Sequence, residues 1–165
     1  MSQSVLTSQI RAALKMLRSA IEACPDALWD RKSDPNGFWA LAYYTLFFAH
    51  LYALASEEDL EPFAGDVAGR EGLVWIDLGD WSELEPGDTN SKDDVLACRD
   101  HIDRRVAEPV QSAPFDGPSG FHWLPLPRGA AHLCNLRHIQ HHASQMAEGL
   151  RQDTGVGTNW VFADG

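Results

Sequence analysis

Positive charge is what this chain of 165 residues has least of: 13 lysines and arginines stand against 24 acids, for a net charge of −11. Its pI is near 4.9. A nucleic-acid binder lays basic side chains on phosphates, so this balance excludes DNA or RNA as the main partner, and it disfavours anionic membrane surfaces too. Cysteine is scarce as well. Cys24, Cys98 and Cys134 are odd in number, far apart and without a CxxC pair, which fits reduced thiols and neither a disulfide frame nor a zinc knuckle. Long apolar runs are missing: Phe38 to Ala55 comes nearest, and Thr45 and His50 interrupt it, so it reads as a buried helix and not a membrane span. Met1 to Arg18 has no basic lead and no small-residue cleavage site, so the expected compartment is the cytoplasm. There is no internal repeat and no low-complexity tract.

What remains is ordinary globular composition, with 44% apolar and 22% charged residues, and a length that suits one domain over 1–165. Four segments carry helical periodicity. The first runs from about Ser4 to Ala23 on Leu6, Ile10, Ala13, Leu14, Leu17 and Ile21, and Pro25 ends it. The second runs from about Phe38 to Ser56 after an Asp34-Pro35-Asn36-Gly37 turn, and is apolar nearly all round. The third starts at Ser91, a capping residue with Asp94 three positions on; Val95, Cys98, Ile102 and Val106 form its stripe, and Pro109 closes it. The fourth runs from about Pro127 to Arg151 on Leu136, Ile139, Ala143, Met146 and Leu150. Glu57 to Asn90 and Gln111 to Leu126 read as irregular, the first as a long acidic loop over the helices and the second as a segment packing Phe121 and Trp123 against helix ends. The expected fold is all-α, a four-helix bundle with a long loop between helices two and three. Helix two has more apolar faces than one interior covers, which predicts a homodimer.

The chemistry sits on the fourth segment, in Asn135-Leu-Arg-His-Ile-Gln-His-His-Ala-Ser-Gln145. His138 and His142 are four apart, about 40° around a helix and one turn along it, so both imidazoles can reach one point at the border of the core seam. Such a pair suits zinc, nickel or ferrous iron, and Gln145 follows where it could orient a ligand. The same spacing also arises where two histidines simply bond a neighbour or water. HExxH is absent, because Ile139 follows His138. Ser144 has no oriented acid or oxyanion pattern, so a serine hydrolase is not indicated. His101 reads as solvated; His122 and His132, near the start of the last helix, read as structural residues or as lining the mouth of a cleft; and no basic neighbour activates Cys98 or Cys134.

The string Asn135 to Met146 resembles the last-helix signature of the DinB-like (DinB/YfiT) superfamily of metal-binding four-helix bundles. Phe38-Trp-Ala-Leu-Ala-Tyr-Tyr-Thr-Leu-Phe-Phe48 is similar to the second helix of one branch, Ser91-Lys-Asp-Asp-Val-Leu96 to the start of its third, and Asn159-Trp-Val161 to its tail. The resemblance implies a divalent metal held by three histidines, one on helix two and two on helix four. It also implies a small-molecule substrate and, in some members, transfer to a low-molecular-weight thiol such as bacillithiol, mycothiol or glutathione. Carried over, His138 and His142 take the two helix-four positions. The helix-two position falls on Tyr44, where the family has histidine. A phenol binds zinc poorly unless it ionises, so the third ligand would be water, Tyr44 or His50. His50 is six residues on, about 240° around the helix from Tyr44. Two functions follow from the resemblance. One is a metal-dependent thiol transferase or hydrolase; the other is a non-catalytic dimeric bundle, binding or stress-related, with a degraded metal site.

Overall fold

A computed structural model describes residues 2–31, 37–61, 89–112 and 114–164. Among these residues the chain is all-α, with no β-strand. Helix α1 spans Gln3–Ala23, a short α2 Asp26–Trp29, α3 Phe38–Leu51, α4 Lys92–Arg105, a short α5 Ala107–Ser112, and α6 Arg128–Thr154. Helix α1 packs on α6 and α4, and α3 lies between α4 and α6. The apolar stripes expected from the sequence line the core: Leu6, Ile10, Leu14, Leu17 and Ile21 of α1 and Ile139, Met146 and Leu150 of α6 are nearly or wholly inaccessible. No helix of the described residues is long and apolar enough to cross a membrane.

Local chemistry sets most of the helix ends. Ser91 caps α4 by accepting from the Asp94 backbone N–H at 3.1 Å, while its hydroxyl donates to the Asp94 carboxylate at 2.6 Å. Gly155 ends α6 at φ +74, a left-handed position that glycine adopts without a Cβ penalty. Three features depart from the sequence reading. Helix α3 stops at Leu51 and not near Ser56, and a 3₁₀ turn at Glu57–Asp59 follows. Pro109 does not close α4: the break comes at Val106, and Pro109 sits in the first turn of α5, where its missing N–H leaves no helix bond unmade. Helix α2, at four residues, is too short to show a helical period in the sequence; its Trp29 Nε1 donates to the Asn90 carbonyl at 2.8 Å, and Lys92 Nζ reaches the Cys24 carbonyl at 2.6 Å. Most of the expected Glu57 to Asn90 excursion, with Leu73, Val74, Trp75 and Trp81, lies outside the described residues.

Helix α3 buries 12 of its 14 residues within this single chain. The uncovered apolar face that led to the homodimer expectation is therefore not on α3. Among the described residues the exposed large apolar side chains are instead Val5, Leu126, Leu133, Val156, Trp160 and Phe162.

The end of α3 is held by polar side chains of α6. Asn135, with no accessible surface, donates from Nδ2 to the Ala49 carbonyl at 3.0 Å. Arg128, also buried, donates to the Leu54 carbonyl and, at 2.7 Å, to that of Ala55. His132 lies between them, fully buried, with the Phe115 ring centroid 6.5 Å away. The loop before α6 closes over this clamp. Gly120, at φ +93, passes so close to the Ala55 carbonyl that any β-carbon would collide with it.

Two outcomes follow. Asn135→Ala strands the buried Ala49 carbonyl and should cost about 1–3 kcal/mol of stability in urea unfolding. Burial, and then the Arg128 guanidinium, push the His132 imidazole down to about 4, with the Tyr52 backbone opposing. The unfolded chain, with an imidazole near pH 6.5, takes the proton more readily than the fold does. The stability that a neutral His132 contributes is therefore complete above about pH 6.5 and is lost as pH drops from there toward about 4. His132→Leu should flatten that decline; an unchanged slope across this window would contradict a neutral, buried His132.

Candidate functional site

Because α3 packs on α6, Tyr44 is brought against the two histidines singled out from the sequence. The Tyr44 ring centroid lies 5.4 Å from that of His138 and 5.3 Å from that of His142, and the two imidazoles are 4.6 Å apart at 77°. Zn–N bonds of about 2 Å meeting at a tetrahedral angle put ring centroids roughly 5 Å apart, so the spacing is compatible with two imidazoles on one ion. Phe48 and Tyr52, one and two turns beyond Tyr44, complete an aromatic wall: their centroids lie 5.7 and 6.2 Å from His138. Trp123, from the loop before α6, packs on Tyr52 at 5.9 Å. The sequence held a signal for this wall, the i, i+4, i+8 spacing of Tyr44, Phe48 and Tyr52, which reads equally well as core.

Both imidazoles are held neutral. Burial, reinforced by the neighbouring His142, pushes His138 down to about 4, with the Thr45 backbone opposing. Its Nε2 is shielded from solvent and meets no hydrogen-bond partner among the described residues. Burial also lowers His142, against the hydrogen bond it makes to Gln145. That bond runs from Nδ1 to the Gln145 Oε1 at 3.1 Å. With Nδ1–H donating, the His142 Nε2 keeps its lone pair, the arrangement a metal-ligating histidine needs. Tyr44 is shifted the other way: burial raises its phenol, so it is protonated at neutral pH.

His50 is not part of this group. It is buried on the α4 side of α3, where its ring lies 5.5 Å from that of His101. The six-residue offset from Tyr44 explains the separation. His101 itself is half-buried and not solvated, its Nε2 shielded from water. His122 is exposed beside Glu57, with Nδ1 3.8 Å from the carboxylate, and His132 belongs to the clamp. His141 is exposed, with its ring 4.9 Å from His142. The three cysteines are free thiols, and burial pushes Cys24 up to about 11.

Two nitrogen donors fit a divalent ion, and the third position does not. Tyr44 offers a protonated phenol, and among the described residues no three His, Cys, Asp or Glu side chains converge as a ligand set. A cavity of about 600 Å³ opens on the other flank of α6, against α1 and the C-terminal tail. It reaches His138 but neither Tyr44 nor His142, so it adjoins the imidazole pair without enclosing it. Comparison with known protein families, characterised proteins and solved structures finds no match.

A nuclear magnetic resonance titration checks the electrostatics. His138 should titrate near about pH 4 and His142 below the ordinary histidine value of about 6.5. An ordinary value for His138 would mean that its imidazole is open to water.

Proposed function

We propose that the chain is a DinB-like four-helix bundle that holds a divalent ion, zinc, nickel or iron, between His138 and His142. On this reading it acts on a small molecule as a thiol transferase or hydrolase. The observation that carries the reading is the facing pair of neutral imidazoles, one fixed by Gln145 and the other with a buried nitrogen that has no hydrogen-bond partner among the described residues. Four helices of 14 to 27 residues in the order the resemblance implies support the scaffold. A bound ion would supply a nucleophile at neutral pH by lowering the pKa of a coordinated thiol or water. The chain's own residues have simpler tasks. Burial keeps the two imidazoles unprotonated, Gln145 sets the His142 tautomer, and Phe48, Tyr52 and Trp123 wall the His138 side.

The competing reading is a bundle that has kept the scaffold and lost catalysis. Tyr44 favours it, because a protonated phenol at the third position leaves two protein donors. Zinc titration by calorimetry separates the two. Wild type should bind weakly, His138→Gln should not bind, and Tyr44→His should tighten binding by about tenfold or more, about 1.4 kcal/mol. Absence of zinc binding in wild type would leave the non-catalytic reading. Affinity unchanged by His138→Gln would place the ion elsewhere.

A further inference from the structure

We propose that the cavity between α1, α6 and the C-terminal tail binds a small aromatic carboxylate. This inference does not depend on the imidazole pair holding an ion. The cavity, about 600 Å³, falls within the roughly 300–1,000 Å³ typical of small-ligand sites. Its α1 side is made by Gln9, Ala12 and Ala13, the two alanines leaving room over the helix, and its tail side by Val161 and the indole of Trp160. Trp160 is 61% exposed, a large apolar surface left open to water at the mouth of a cavity.

The tail that carries Trp160 is fastened to α1, so this wall is a built one. Gln9 donates from Nε2 to the Phe162 carbonyl at 3.0 Å. The Ser8 hydroxyl donates to the Asp164 carbonyl at 2.9 Å and accepts from the Asp164 N–H at 3.1 Å. The Asp164 carboxylate pairs with Lys15 and, at 3.6 Å, with Arg11.

The ligand's charge follows from Arg137, which lines the cavity. In this acidic chain most of the described guanidiniums are taken. Arg11, Arg18, Arg31, Arg99, Arg105 and Arg151 meet carboxylates, and Arg128 is committed to backbone carbonyls. Arg137 makes no hydrogen bond or ion pair among the described residues. A planar guanidinium offers two parallel donors to a carboxylate, and one positive charge in a field of net −11 favours a monoanion over a dianionic phosphate. The carboxylate sits on Arg137, the flat body lies between Ala13 and the Trp160 indole, and the cavity then brings the ligand beside His138.

The test is calorimetric titration with phenylacetate, with EDTA present so that failure of the metal reading cannot affect it. Phenylacetate should bind saturably at millimolar concentration. Arg137→Gln and Trp160→Ala should each weaken it by about tenfold or more, while Arg104→Gln, at an arginine outside the cavity, should not. Neutral phenylacetamide and inorganic phosphate should not compete. Both substituted side chains point to solvent or the cavity, and circular dichroism of each variant checks that it folds. No binding to wild type, binding unchanged by Arg137→Gln, or equal competition by phosphate would each overturn the assignment.

Discussion

The end of α3 is held from outside the helix, through the Ala49 carbonyl and through two carbonyls of the turn that follows Leu51. The last carbonyls of an α-helix lack partners within the helix; following backbone N–H groups serve Phe48, His50 and Leu51 here, while the buried Ala49 carbonyl takes a side-chain donor. Helix α6 supplies the donors: Asn135 to Ala49, and Arg128 to Leu54 and Ala55. Such bonds are directional where apolar packing is not, and they fix α3 in one register along α6. The two helices run antiparallel, so stepping back from Ala49 to Tyr44 along α3 is matched by stepping forward from Asn135 to His138 and His142. At 1.5 Å per residue these displacements are about 7.5 Å on α3 and about 4.5 to 10.5 Å on α6. The clamp at one end of the contact thus decides that Tyr44 faces both imidazoles.

How much of this the sequence discloses depends on whether a residue's partner is near in the chain. The stripes of α1 and α6, the Ser91 cap and the juxtaposition of His138 with His142 follow from periodicity and spacing alone, and each is found in the structure. The roles of Asn135 and Arg128 do not, because their partners are carbonyls about 73 to 86 residues away. In the sequence they read as ordinary polar positions at the start of a helix. Pro109 misleads for a related reason: proline both ends helices and begins them, and only the break at Val106 decides which. The wall that Trp160 forms depends on a tail crossing back to α1, a pairing no local pattern encodes.

The charge distribution is consistent with the same division. Most described basic side chains are spent on the fold: Arg99, nearly inaccessible, donates to the Leu14 carbonyl and to Asp100 and Asp103, tying α4 to α1. Exposed pairs such as Arg151 with Glu148 add little each. The histidines near the candidate site are kept uncharged by burial, and that state serves either ligation or packing. Tyr44 is where the two uses part, since its phenol packs well against both rings and coordinates poorly.

The burial of the thiols has a practical corollary. Cys24 and Cys98 lie inside the core, and Cys24 is held as the unreactive protonated form well above neutral pH. Cys134 alone is partly open to solvent, and it lies on the cavity one helical turn before His138. An alkylating fluorophore or spin label would therefore attach mainly at one place in the unaltered protein. The natural chain carries its own reporter position at the boundary between the cavity and the imidazole pair.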